Sequence, residues 1–204
     1  MSNRDLEGKL YQWRIFTAPL NWRLESGDRI EFNIVPYMER LPEPFEISPG
    51  VIIPAETHHW TRYRIEFQSA SKRSVTGKLS WWFGTLYNGN MNQWQADITW
   101  RPSHKVNIAL QGEIAKGKFP SGISDIKLIQ SRFDIYISPN FQILNYIQYD
   151  NLTKSIGMNS RLRWTYRSLL DIFIVYNNNW VETSGRFYTD LNQFYIKIQY
   201  SWRR

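Results

Sequence analysis

Three kinds of residue in this chain could do chemistry: a histidine pair, a set of carboxylates, and an abundance of aromatic rings. His58 and His59 are adjacent. In a regular strand neighbouring side chains point to opposite faces, so the two cannot chelate one metal ion. His104 stands in a predicted turn with no obvious partner. Glu66, Asp97, Glu113 and Asp134 all fall on the polar side of alternating segments. A glycosidase holds two carboxyls about 5–9 Å apart across its substrate, and nothing in these spacings brings a chosen pair together. The expected role of these carboxylates is to line a lumen and offset Arg62, Arg64, Arg161 and Arg163, which share the polar faces. The chain lacks a serine nucleophile elbow and a phosphate-binding glycine loop. Asn151-Leu152-Thr153 matches the glycosylation sequon, a tripeptide common by chance. With no Cys, disulfides and thiolate metal ligation are excluded. Neither catalysis, nor a cofactor, nor a metal site is expected.

The aromatic residues say more. The chain holds 10 Trp, 12 Tyr and 11 Phe, yet its mean hydropathy of -0.49 is that of a polar protein. Alternation reconciles the two, because each apolar residue is offset by a polar neighbour. Transmembrane strands read this way when one face meets lipid and the other a wet lumen. Trp81, Trp94, Trp100, Trp164, Tyr166, Tyr200 and Trp202 fall on apolar faces, where they suit a lipid-facing girdle. Trp180 and Tyr188 fall in a predicted long loop, where their rings could stack on sugars as glycan contacts. The net charge of +7 comes from 25 Lys and Arg scattered along the chain. Without a basic run to track phosphates, nucleic acid is not an expected partner.

The elements that must position these residues are strands. The period is two almost everywhere, and no segment reads as a convincing helix. Trp94, Ala96, Ile98 and Trp100 alternate with Gln93, Gln95, Asp97, Thr99 and Arg101. Val106, Ile108 and Leu110 stand against Asn107, Gln111 and Glu113. Met158, Leu162, Trp164 and Tyr166 alternate with Asn159, Arg161, Arg163, Thr165 and Arg167. The last run sets Phe194, Ile196, Ile198, Tyr200 and Trp202 against Lys197, Gln199, Ser201 and Arg203. Runs at roughly 10–24, 29–40, 57–69, 75–87, 124–138, 141–150 and 169–178 bring the count to about 11 strands, with 141–150 and 169–178 the least regular.

Alternation alone fits a soluble sandwich as well as a membrane barrel. The connections separate the two. One set is short: Glu25-Ser26-Gly27-Asp28, Ser69 to Ser74, Arg101-Pro102-Ser103-His104, Ser138-Pro139-Asn140, and Arg167 to Asp171. The other set holds a long Pro-rich link from Leu41 to Glu56, an Asn-Gly turn at Tyr87 to Asn90, a long link from Lys116 to Ser124, a modest one at Asn151 to Lys154, and a long one from Asn177 to Asp190. All the predicted long links therefore fall on one side of the meander, opposite the C-terminus. Outer-membrane barrels segregate loops in this way, whereas Greek-key sandwiches have no reason to. The expected fold is all-β: an antiparallel up-and-down meander over residues 1–204, forming a transmembrane β-barrel or the C-terminal portion of one. Bacterial single-chain barrels have even strand numbers. The odd count, together with a charged Met1 to Lys9 that has no apolar signal-peptide core, suggests a start inside an extracellular loop of a longer protein. No apolar stretch approaches the ~18 residues of a membrane helix.

Several stretches carry a family resemblance. They are Phe16-Thr17-Ala18-Pro19-Leu20-Asn21-Trp22 with Ser26-Gly27-Asp28, then Glu39-Arg40-Leu41 leading to Pro44-Phe45-Glu46-Ile47, and Ile147-Gln148-Tyr149-Asp150. Arg161-Leu162-Arg163-Trp164-Thr165-Tyr166-Arg167 follows, then Asp171-Ile172-Phe173-Ile174-Val175-Tyr176-Asn177, and the closing Ile196-Lys197-Ile198-Gln199-Tyr200-Ser201-Trp202-Arg203. In order and spacing they resemble the C-terminal barrel region of the DUF5916 family, large proteins mainly of Bacteroidota with a carbohydrate-binding-module-9-like domain ahead of a barrel. The resemblance implies a bacterial outer-membrane location and a surface-exposed mouth. It also implies three partners: outer-membrane lipid, the barrel-assembly machinery, and glycans. It supplies no reaction. The family's upstream domain is absent here, and Arg204 stands where the family usually closes with an aromatic residue. The rival reading is a soluble carbohydrate-binding β-barrel or β-sandwich whose aromatics pack inward.

Overall fold

Alternating residues of this kind have one stable outcome, a pleated strand whose two faces differ in polarity. The structure, a computed structural model, describes residues 2–4 and 10–202, and among these every regular element is a strand. In chain order they are β1 (Ser2–Arg4), β2 (Leu10–Arg14), β3 (Thr17–Arg23), β4 (Arg29–Arg40), β5 (Phe45–Ser48), β6 (Val51–Ile53), β7 (Thr57–Gln68) and β8 (Val75–Leu86). There follow β9 (Gly89–Ser103), β10 (Val106–Phe119), β11 (Gly122–Ser138), β12 (Phe141–Asp150), β13 (Ser155–Arg167), β14 (Leu170–Thr183) and β15 (Arg186–Tyr200). The order β1-β2-β4-β7-β8-β9-β10-β11-β12-β13-β14-β15, with β3 also beside β4 and β5-β6 as a separate pair, is an antiparallel up-and-down meander.

The expected run at 10–24 is broken. β2 pairs with the far end of β4 through Gln12↔Glu39, and β3 with its near end through Trp22↔Ile30. Counted as one interrupted strand, β2 and β3 give the eleven expected runs, to which β1 adds a twelfth strand. Ser2 to Arg4, expected as part of a loop, instead pair with β2. Residues 5–9, and Arg203 and Arg204 at the other end, lie outside the described residues. The segments 141–150 and 169–178, least regular as sequence, both form ladders with β13, the first unbroken and the second with one register shift between Thr165 and Arg167.

Two of the three predicted long links are corrected. β10 runs on to Phe119 and β11 starts at Gly122, so the link expected at 116–124 is a turn of Pro120 and Ser121. β14 likewise runs to Thr183 and turns through Ser184 and Gly185. Asn177, Asn178 and Asn179 looked like loop residues, but each has a cross-strand partner on β15. Their amides bond side chain to side chain: Asn159 to Asn177, Asn178 to the Tyr176 hydroxyl at 2.9 Å, and Asn179 to Asp190 at 3.1 Å. An asparagine whose side-chain N–H is engaged inside the ladder competes less for the backbone than it would in a turn.

The link from Leu41 to Glu56 does remain long, but it is folded. Its base is closed by the Leu41 N–H donating to the Glu56 carbonyl at 3.0 Å, and its tip by the Gly50 N–H donating to the Glu46 carboxylate at 2.6 Å. Between them β5 and β6 pair and bury Val51 and Ile53 against Leu41 and Phe119, with Phe45, Ile47, Leu86 and Tyr87 around them. The Phe119 ring lies over two glycines. A Cβ at Gly89 or at Gly117 would stand 2.5 Å from that ring. Each buried aliphatic side chain here contributes roughly 2 kcal/mol, and this is the one hydrophobic cluster of conventional kind among the described residues.

The chain divides into two compact units, one of residues 1–96 and 113–127, the other of residues 97–112 and 128–204. In the first unit the turns 24–28 and 69–74 are clamped together. Asp28 accepts both guanidinium nitrogens of Arg73 at 2.7 Å, the Ala70 N–H at 2.8 Å and the Ser26 hydroxyl at 2.7 Å. The Arg73 bonds chiefly, then Ser26 and Ala70, pull the Asp28 carboxyl from 3.8 down to about 2. A depressed carboxylate stabilises the fold above its unfolded value near 4 and loses that contribution as pH falls through about 2. Wild type and Asp28→Asn, melted in detergent micelles between pH 5 and pH 2, should therefore differ most above pH 4 and converge near pH 2. A difference independent of pH would contradict this account.

Candidate functional site

On β4 and β7 the polar face is packed and the apolar face is the more exposed one. On β7 the side chains of His58, Trp60, Arg62, Arg64 and Glu66 share one face. All but Arg64 are buried, and Arg64 is only 16% exposed. The alternate residues Ile65 and Phe67 are 42% and 43% exposed. β4 repeats the pattern, with Glu31, Asn33 and Val35 buried and Ile30 exposed. Polar groups taken from water in this way must bond to one another, and they do. Arg64 donates to Asn33 Oδ1 at 2.7 Å, to Glu66 at 2.9 Å and to Glu31 at 3.3 Å. Asn33 and Arg29 also reach Glu31, at 2.7 and 2.6 Å, and the Ser80 hydroxyl donates to Glu66 at 2.8 Å. The Arg64 guanidinium lies 5.2 Å from the Trp82 ring centroid and 5.3 Å from that of Phe16, within reach of both ring faces.

Above this network, toward the folded 41–56 segment, the first unit holds a cleft of about 410 Å³. Its aromatic wall stacks Tyr37 on Trp60, centroids 5.2 Å apart and nearly parallel, and sets Trp60 against Tyr87 at 4.5 Å. Phe45 of β5 meets the Tyr87 edge at 5.4 Å, so the folded link contacts this wall. The Tyr87 hydroxyl donates to Glu39 at 3.1 Å. Burial, and then that carboxylate, push the Tyr87 phenol well above its ordinary range. Arg62 donates to the carbonyls of Met91 and Gly84, and among the described residues has no carboxylate partner. The Trp60 indole N–H is buried at this wall and meets no acceptor among the described residues. Gln93 and Gln95 complete the lining, both donating to Glu113.

The second unit carries its own cleft, of about 670 Å³, on the polar faces of β10 to β13, lined among others by Gln130, Arg132, Asp134, Tyr146 and Arg161. Asp134 is buried and accepts from Asn107 at 3.2 Å and the Tyr136 hydroxyl at 3.4 Å. Arg163 lies outside this lining and pairs with Asp171 at 3.3 Å.

The residues singled out from sequence therefore separate. Arg62, Arg64 and Glu66 meet on one face of β7, with Arg64 and Glu66 in direct contact. Glu113 joins Gln93 and Gln95, and Asp134 and Arg161 line the second cleft. Asp97 stands on β9 with a partner of its own. On the apolar face Trp81 stacks on Trp94, centroids 5.2 Å apart, and continues through Phe83 and Tyr63 to Phe32 as one row of rings. Those two tryptophans sit mid-strand rather than near strand ends. Trp100, Trp164, Tyr166 and Tyr200 do lie near strand ends, with Trp202 just beyond β15, and Trp164 meets Tyr166 edge-on at 5.3 Å.

Trp180 and Tyr188 need correction. Both are in paired strands, not in a loop, with Trp180 opposite Thr189 and Val181 opposite Tyr188. Opposed residues share a face and neighbours do not, so the two rings point to opposite sides of the hairpin and cannot grip one sugar. The aromatic wall of Tyr37, Trp60 and Tyr87 escaped sequence reading. Its trace was there, in Trp60 and Trp82 interrupting faces otherwise polar. His58 and His59 take opposite faces as expected, with His58 buried 3.0 Å from the Pro54 carbonyl.

If Arg64 holds the buried carboxylates together, Arg64→Met should destabilise the protein by about 3 kcal/mol, because it leaves Glu31 and Glu66 buried without their shared cation. Adding Glu66→Gln should recover part of that loss. Urea unfolding in detergent of the two single variants and the double variant measures the coupling, and purely additive effects would contradict the network.

No family model matches the chain, and no curated protein matches it. Among solved structures it is similar to "KdgM porin in complex with disordered oligogalacturonate", at 10% identity and a TM-score of 0.37, over 94% of this chain and 98% of that one.

Proposed function

We propose that the chain is a β-strand membrane protein of the bacterial outer membrane, its apolar face set in lipid and its polar face forming a passage for polar solutes. The observation that carries this reading is the inversion of burial. Glu31, Asn33, Arg62, Glu66 and Ser80 are at most 7% exposed, while Trp94, Ile98, Trp100, Leu110 and Ile129 are each exposed by more than 45%. Such a surface is stable against hydrocarbon and costly against water. It favours the membrane over a soluble carbohydrate-binding protein, whose apolar face would be the buried one.

Strand length supports the same reading. A tilted strand crosses the bilayer in about 9–11 residues, and β9, β11 and β15 run for 15, 17 and 15. The surplus lets hairpins stand clear of the membrane. The side bearing the folded 41–56 link is the exterior mouth, and that link caps the aromatic cleft beneath it. Glycans suit this cleft, since aromatic walls and amides serve sugar faces and hydroxyls, and a solute hydroxyl would give the Trp60 N–H the acceptor it lacks. Within this proposal the chain is the barrel region of a DUF5916-type protein, delivered by the barrel-assembly machinery and acting as anchor and passage rather than as a catalyst.

The lipid-facing assignment predicts the effect of one charge. Ile98→Arg should cost about 2–4 kcal/mol in lipid vesicles, as charges on the lipid face of a barrel do. On a water-facing surface the same change stays within about 0.5 kcal/mol. Brominated lipids should also quench the tryptophan fluorescence of the refolded chain strongly. Tolerance of Ile98→Arg together with unquenched fluorescence would overturn the membrane reading.

A further inference from the structure

Several arginines on the described polar faces are held by carboxylates. Arg64 is held by Glu31 and Glu66, Arg29 by Glu31, and Arg163 by Asp171. Arg132 and Arg161 are not held in this way. Both line the cleft of the second unit and both are exposed. Among the described residues neither takes part in a hydrogen bond or an ion pair. The one carboxylate in that lining, Asp134, is already occupied by Asn107 and Tyr136. By residue type the lining holds two arginines against one carboxylate.

Register places these two guanidiniums on one ligand-sized frame. Arg132 stands opposite Tyr146, which stands opposite Asn159, and Arg161 is the next residue along that face of β13. Two strand spacings and one two-residue step separate their backbones by about 12 Å, a gap that two extended arginine side chains reach across. Tyr146 and Leu144 of β12 stand between them, Asp134 shares the frame, and the neutral, hydrogen-bonding pair Gln130 and Gln148 flanks Arg132. Gln130 donates to Gln148 at 3.1 Å, and the Tyr146 hydroxyl donates to the same Gln148 oxygen at 2.7 Å. Guanidinium forks match carboxylate and phosphate oxygens two at a time, while amides and phenols suit hydroxyls. We infer that this cleft is a binding site for a small polyhydroxy solute bearing an oxyanion, with Arg132 and Arg161 clasping the anion and the Gln130–Gln148–Tyr146 surface facing its hydroxyls. A sugar acid and a sugar phosphate share this chemistry.

The inference gives the proposed passage a class of solute, yet it is tested by binding alone, so it stands or falls separately from the lipid assignment. The refolded full chain in neutral-detergent micelles would be titrated with gluconate, glucose 6-phosphate and glucose, with binding followed by ligand-observed NMR. At least one of the two anions should bind, weakening as salt rises, and glucose should bind at least about tenfold more weakly. Arg132→Gln and Arg161→Gln should each weaken the anion about tenfold, the scale of a charge-assisted hydrogen-bond pair. Arg163→Gln, which removes an arginine already paired with Asp171, should leave binding unchanged, and circular dichroism would establish that all three variants fold. Whether one anion or both bind tells carboxylate from phosphate. Failure of both anions to bind, glucose binding equally well, or binding indifferent to Arg132 and Arg161 would each overturn the proposal.

Discussion

A sheet that buries its polar face has no oil-like core to lean on, so the polar groups must hold one another. In the first unit this constraint converges on Arg64, whose planar fork reaches Asn33, Glu31 and Glu66 from a single position on β7. That reach depends on register. Asn33 lies directly opposite Arg64, and Glu66 directly opposite Glu31, so a slip of one residue would carry every one of these groups to the apolar face. The network and the pairing therefore specify each other. The Trp82 and Phe16 rings lie close to the same guanidinium and add cation–π attraction to its bonds.

The opposite face answers to a different solvent. Rings from Phe32 to Trp94 stand side by side across four strands, half-buried against one another and exposed at Trp94. In water such a row would drive association. Against lipid it is simply the exterior. Conventional hydrophobic packing is confined to the end where β5 and β6 fold against Phe119. There a loop must hold its shape beyond the strands, and ordinary apolar burial against two glycines does it. At the other end a single carboxylate, Asp28, ties two short turns with charge-assisted bonds, which suits a wet rim where apolar burial is not available.

Each unit thus offers a polar cleft of different character. One is walled by stacked aromatics and touched by the folded link; the other is framed by two arginines that form no ion pair among the described residues. The difference lies in how the cations are partnered rather than how many there are. Carboxylates neutralise Arg64 and Arg163 and turn them into structure, whereas Arg132 and Arg161 keep their charge for something outside the chain.

Alternation by itself determined the all-β class, the antiparallel meander, the eleven runs, and which residues stand on polar or apolar faces. A period of two is a local property, and every strand writes it into its own residues, so Arg62, Arg64 and Glu66 could be set on one face and Ile65 and Phe67 on the other without a partner strand in view. Where strands end was decided only in three dimensions. Asn177 to Asn179 and the stretch around Gly117 carry turn chemistry locally, and only cross-strand hydrogen bonds or a ring seated on a glycine hold them extended. The same is true of the folded 41–56 link, of the opposite facing of Trp180 and Tyr188, and above all of which arginines find carboxylates. Partners such as Arg64 and Glu31, thirty-three residues apart, are joined by register, and register belongs to the sheet rather than to either strand.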